Sequence, residues 1–398
     1  MGMKPAKNRS RAIFEEVGVE TPKQMPVAPK GGMIDARPKG ARKALMLWMV
    51  SLIVLAVLQL GLDATPGFGI AELDLVQPYT GLALFAVWAL GALGLAVSRR
   101  LPPGWGMRVA GLGLGCLLLA ASDPTPISQL SKALSPEPAA EVLPQTGALP
   151  PLQLLPATPP TPAPVAAPVV APPTPQEQVA KAADLAVAKI NLAKTTIGTA
   201  PFATLRLGLA FALVGFAFWY ALLAARTEAA LISARRQAEP GLFGLATGLM
   251  HLSFLQLLVG GLVTGIGAGA VFTDWPMMGG AWLPPDLLSL EPVWRNALEN
   301  QGLLQFSHRA LGYLLLALGL FALLRSRRSV HGVTRTAFVL ATVWIGLQAV
   351  LGVVTLLHGD PLHLRLAHLG GALALWLFLI RARFLARYPR VQSIRGIK

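Results

Sequence analysis

Eight apolar stretches, near 44–62, 79–98, 106–122, 203–225, 243–266, 303–324, 336–357 and 364–382, dominate the 398-residue chain. A helix of roughly 20 residues crosses about 30 Å of hydrocarbon. Most of the stretches reach that length, and the third is short and glycine-rich. A chain built this way cannot fold as a water-soluble globule. Only 13% of its residues are charged and 54% are hydrophobic, whereas a soluble domain carries roughly a quarter charged residues. The pattern predicts an all-α integral membrane protein with eight transmembrane helices.

A formal net charge of +15 could signal nucleic-acid binding, but the distribution argues against it. Ten of the 34 basic residues lie before Ala44, six lie from Arg381 onward, and most others cluster between apolar stretches. Nucleic acid requires a basic face on a folded domain; alternating basic clusters instead follow the positive-inside rule. The tail up to Lys43, the Arg99–Arg100–Arg108 loop, Arg226–Arg236, Arg325–Arg335 and the C-terminal tail are therefore expected in the cytoplasm. Segments 63–78, 123–202, 267–302 and 358–363 are poor in Lys and Arg and are expected outside. An even number of spans returns both termini to the cytoplasm. Cys116, the single cysteine, lies in an apolar stretch, so no intramolecular disulfide or Cys-rich metal site can form.

Composition divides the chain further. Residues 1–43 read as a solvated basic tail, 44–122 as three spans, 123–202 as a Pro/Ala-rich extracytoplasmic linker and 203–225 as the fourth span. Residues 226–385 form a second group of four helices, and 386–398 a basic tail. Residues 123–176 hold 16 of the 33 prolines, which favours extended polyproline-like chain and fits a spacer better than a partner-binding stalk. The Ala-rich, Lys-bearing stretch 177–195 suits a short helix before the fourth span.

The two groups of spans echo each other. His308-Arg309-Ala310-Leu311-Gly312 opens the sixth span and Gln77-Pro78-Tyr79-Thr80-Gly81 the second. His368-Leu369-Gly370-Gly371 in the eighth span corresponds to Arg206-Leu207-Gly208-Leu209 in the fourth. Leu-Gln followed closely by Gly recurs at Leu58-Gln59, Leu255-Gln256 and Leu347-Gln348. The matching order suggests two copies of a four-helix unit joined by the Pro-rich linker. It also exposes an asymmetry, because His308 and His368 face Gln77 and Arg206 across the repeat.

Ionisable residues inside spans are costly and therefore functional candidates. His308 and His368 fall at a common depth near the outer ends of two spans. Two imidazoles so placed can clamp a haem iron inside a four-helix unit, whereas zinc demands more ligands. The competing reading is interhelical hydrogen bonding. Arg309 and Arg365, beside the two histidines, suit haem propionates or simple snorkelling to water. His251 reads as a structural hydrogen-bonder. The stretch Thr273 to Pro285, with Trp275 and Trp282, fits either an interfacial belt or a lid over the His-bearing pocket.

Several of these residues carry a family resemblance. Leu249-Met250-His251-Leu252, Gly260 to Gly269, Thr273-Asp274-Trp275-Pro276, Gln305-Phe306-Ser307-His308-Arg309, Leu351-Gly352-Val353-Val354-Thr355 and Leu366-Ala367-His368 resemble the haem A synthase family over roughly 203–390. Phe14-Glu15-Glu16-Val17 and Gly31-Gly32-Met33-Ile34-Asp35 are similar to its proteobacterial members. The resemblance implies eight helices in two duplicated halves in the bacterial cytoplasmic (inner) membrane. It implies an oxidoreductase that converts the C8 methyl of haem O to a formyl group by two successive hydroxylations, with oxygen from water. His308 and His368 would then be axial ligands of a b-type haem, and haem O would occupy the N-terminal half. Implied partners are the bilayer, haem O synthase, an electron-transfer protein and a second copy of the chain. The departures lie in the N-terminal half. Gln77 and Arg206 stand where the family has a histidine pair, and Asp74 stands at its carboxylate position as a shorter stand-in. The loop from Asp63 to Pro78 is short. A catalytically degenerate b-haem protein or oxidase assembly factor of the same family is the alternative these departures raise; a transporter, suggested by duplication alone, has no use for the histidine pair.

Overall fold

A computed structural model describes residues 39–63, 76–102, 104–122, 175–285 and 287–390. Among them every regular element is helical and no strand occurs. The helices are α1 (Lys39–Asp63), α2 (Thr80–Val97), α3 (Gly106–Ala121), α4 (Pro175–Ala224), α5 (Glu228–Arg235), α6 (Pro240–Gly265), α7 (Asn296–Glu299), α8 (Gln301–Ser326), α9 (Gly332–Leu357) and α10 (Leu362–Arg387). Seven of them carry a stretch long and apolar enough to cross a membrane. The chain is a multi-pass membrane protein. The eighth apolar helix, α3, has 16 residues, about 24 Å at 1.5 Å per residue and short of the full hydrocarbon thickness.

Local chemistry sets the helix ends. The Thr227 side chain accepts from Ala230 N at the start of α5, and Asn300 accepts from Leu303 N at the start of α8; each satisfies a donor that the first turn leaves without a partner. Pro240 opens α6, where a missing N–H costs nothing. The fourth span departs from expectation. The Ala-rich stretch and the span form one continuous helix from Pro175 to Ala224 with Pro201 inside it, so helix begins within the segment 123–202 read as linker. Ala, Gln and Lys are strong helix formers, and the chain runs through the proline. The remaining linker residues, 123–174, lie outside the described residues.

Helix packing follows two closed circuits. α1 packs on α2, α2 on α3, α3 on α4 and α4 back on α1; likewise α6, α8, α9 and α10 close on one another in that order. α4 touches both α6 and α10 and forms the seam between the circuits. Tryptophans stitch neighbouring helices by donating indole N–H to backbone carbonyls. Trp48 reaches Val87 O at 3.1 Å, Trp88 reaches Val109 O at 2.9 Å, and Trp344 reaches Gly371 O at 2.7 Å. Across the seam, Trp376 of α10 donates to Phe211 O of α4 at 2.9 Å. Intrahelical bonds already satisfy those carbonyls, so each indole uses a second lone pair and leaves no buried donor unmet.

Candidate functional site

His308 and His368 sit about two turns inside α8 and α10, counted from Gln301 and Leu362. Both helices start from the same end of their circuit, so the two imidazoles share a depth, and they lie close enough to interact electrostatically. Each ring lies across a glycine of a neighbouring helix. A Cβ added at Gly260 of α6 would fall 2.8 Å from His308 Cε1, and one at Gly352 of α9 would fall 3.2 Å from His368 Cε1. Glutamine precedes each glycine by one turn. Gln256 Nε2 donates to His308 O at 3.0 Å and lies 3.2 Å from His308 Nε2. The carbonyl contact fixes the nitrogen end of that amide, which can only donate. Gln348 occupies the space above Gly371, one turn past His368.

The fit of this site to a haem rests on the atoms left over. Nδ1 of His308 and Nδ1 of His368 are both buried without a hydrogen-bond partner among the described residues. A buried polar atom without a partner costs about 1–3 kcal/mol, and these two fall on the paired histidines at a common depth. Neutral imidazoles with an available lone pair are what iron requires. Among the described residues no group of three or more His, Cys, Asp or Glu converges, so the donor set is a pair. The residues present fit a bis-histidine haem.

The N-terminal circuit carries different chemistry at the equivalent depth. Asp63 Oδ1, at the end of α1, accepts from Gln77 Nε2 at 3.1 Å and from Arg206 Nη2 at 3.0 Å. Gln77 and Arg206 are the residues that the sequence sets against the two histidines, and Asp63 follows Gln59 by the same four residues that separate Gln256 from Gly260. Among the described residues the carboxylate bonded to the Arg206 guanidinium is Asp63. Asp74 itself lies outside the described residues. Deeper in α1, Gln59 is fully buried and neither amide atom has a hydrogen-bond partner among the described residues.

Arg309 and Arg365 are engaged elsewhere than between the histidines. Arg309 lies about 100° around α8 from His308 and donates to Met277 O at 2.9 Å and Phe272 O at 3.1 Å. It holds the loop between α6 and α7 rather than facing His308. Arg365 pairs with Asp360 at 3.7 Å. His251 is exposed on α6 and makes no hydrogen bond among the described residues, so its reading as a structural hydrogen-bonder is not met.

The loop itself is fastened by a stripe on α8 at four-residue spacing. Gln301 donates to Ile266 O, Gln305 to Phe272 O, Arg309 to Phe272 O and Met277 O, and Tyr313 OH accepts from Trp275 Nε1. Trp275, Met278, Trp282, Phe306, Arg309 and Tyr313 line a cavity of about 440 Å³ beneath it. Asp274 accepts from the N–H groups of Gly279 and Gly280, and these bonds pull its carboxyl below the usual range. The repeat marked Gln256 by position without revealing its task. Asp63 and the stripe gave no signal beyond ordinary polar residues near span ends.

Comparison with known proteins bears on this geometry. Residues 187–380 match a family model described as cytochrome oxidase assembly protein. The chain is 37% identical over 437 residues to the heme A synthase of Paracoccus denitrificans, covering 97% of this chain and 98% of that protein. The chain belongs to the haem A synthase family. A heme A synthase of a Ruegeria species is 31% identical over 438 residues, covering 97% and 99%. That of Ruegeria pomeroyi reaches 48% identity over 202 residues, 51% of this chain and 53% of its own. The family-model match begins in α4 and runs through α10, so it takes in both histidines, Gln256 and the fastened loop.

Proposed function

We propose that the chain is a haem A synthase of the bacterial cytoplasmic membrane, with eight spans in two duplicated four-helix units and both termini cytoplasmic. The observation that carries this reading is the His308–His368 pair, each ring across a glycine and each with a buried Nδ1 lacking a partner among the described residues. When bound there, a b-type haem supplies one-electron redox chemistry. His308 and His368 would hold its iron, and Gln256, bonded to His308 O, would orient the helix turn that carries the ring. The substrate is haem O, whose C8 methyl becomes a formyl group through two successive hydroxylations. The N-terminal unit receives it, with Asp63, Gln77 and Arg206 at its outer end and Asp74 proposed as the carboxylate that takes up protons. An electron-transfer partner, haem O synthase and a second copy of the chain remain part of this proposal.

One observation favours a non-catalytic b-haem protein or assembly factor, namely the Asp63-bonded Gln77 and Arg206 in place of imidazoles. Similarity to heme A synthases along nearly the whole chain favours the enzyme. Haem extraction decides between them in a strain lacking its own haem A synthase and supplied with haem O. Haem A is expected; haem B alone would select the non-catalytic reading.

A further inference from the structure

Three arginines from separate segments converge at the basic end of the seam between the two circuits. Arg226, just past α4, Arg381 of α10 and Arg390 beyond α10 line a cavity of about 80 Å³, with Leu222, Ala225 and Phe384 among its walls. Arg226 stacks on Phe384, 5.1 Å from the ring centroid, and donates to Tyr388 O at 2.6 Å. No carboxylate lines the cavity, and none of the three makes an ion pair among the described residues. Glu239, the acid that opens α6, is bonded to Ser329 instead. Burial and the neighbouring Arg390 charge pull the Arg226 guanidinium below its usual value. Like charges gathered without a counter-charge at a partly buried seam call for an anion.

The cavity is far smaller than the roughly 300–1,000 Å³ of a cofactor pocket, and it suits one compact anionic group. It lies where α4 and α10 leave the apolar part of the structure, so an occupant with its anion here would have its apolar portion against the helices. Basic pockets between helices at the cytoplasmic boundary take anionic lipid headgroups. We propose that Arg226, Arg381 and Arg390 form a binding site for the phosphodiester headgroup of an anionic phospholipid, which ties α4 to α10 and so joins the two units. The site stands apart from both histidines and does not depend on the proposed enzymatic activity; that the seam end is cytoplasmic rests on the proposed orientation.

The test uses the purified, delipidated full chain in detergent, reading its thermal midpoint by tryptophan fluorescence. The probes are phosphatidylglycerol, phosphatidylcholine and inorganic phosphate. Phosphatidylglycerol should raise the midpoint saturably and phosphatidylcholine should not. Arg390→Gln, an exposed position that folding tolerates, should weaken the effect about fivefold, as expected for one basic residue near the surface. Arg226→Gln/Arg390→Gln should weaken it further, whereas Arg235→Gln/Arg236→Gln outside the cavity should leave it unchanged. Equal stabilisation by phosphatidylcholine, a full effect from inorganic phosphate alone, or equal weakening by the Arg235/Arg236 variant would each overturn the proposal.

Discussion

At the scale of single residues, the two glycines beside the imidazoles make the sharpest claims. A methyl at Gly260 would collide with His308 at 2.8 Å, whereas one at Gly352 meets His368 at 3.2 Å. Overpacking of this kind costs about 1–3 kcal/mol when the neighbour cannot give way. Gly260→Ala should therefore reduce haem content more than Gly352→Ala, read as haem per protein by pyridine haemochrome. Equal content in both variants and the unmodified protein would remove the glycines from the site. Asp274 gives a pH-dependent expectation. Its folded pKa lies below the ordinary carboxylate value because Gly279 and Gly280 donate to it, so its support for the loop is present above that ordinary value. Support fades as pH falls through the lower folded value. Tryptophan fluorescence of the loop should change on acidification, and Asp274→Asn should abolish that component.

Among elements, α8 does two jobs on different faces. One face carries His308 toward α6; the stripe Gln301, Gln305, Arg309 and Tyr313 drifts around the helix by about 40° per step and fastens the loop. Gln305→Leu removes one of the donors to Phe272 O. It should weaken loop attachment by about 1 kcal/mol and speed proteolysis between 272 and 300 without changing haem content. Unchanged cleavage would show that the stripe does not hold the loop. Helix positions were legible in the sequence because apolar stretches of this length have few alternatives. Their ends were less so. Arg325 and Arg383 to Arg387 continue α8 and α10 past the hydropathic edge, since long basic side chains reach water from a helix that has not ended. The helix over 177–195 was legible in its alanines and lysines, but its fusion to the fourth span was not, because the interior Pro201 reads as a break.

For the whole molecule, the circuits α1–α2–α3–α4 and α6–α8–α9–α10 each close in chain order. The histidine pair was legible because two imidazoles are rare in so apolar a chain. The Asp63 cluster was not, since Asp63 and Arg206 are 143 residues apart and only the fold joins them. Packing and the Trp376–Phe211 bond hold the seam, so Trp376→Leu should lower the thermal midpoint by the equivalent of about 1–3 kcal/mol, more than a lipid-facing change such as Leu320→Ala. The central claim is that His308 and His368 ligate one haem. The absorption spectrum of the purified protein tests it most directly. The account predicts a single, unsplit b-type α-band that disappears in both His308→Ala and His368→Ala; a full-strength band in both variants would contradict it.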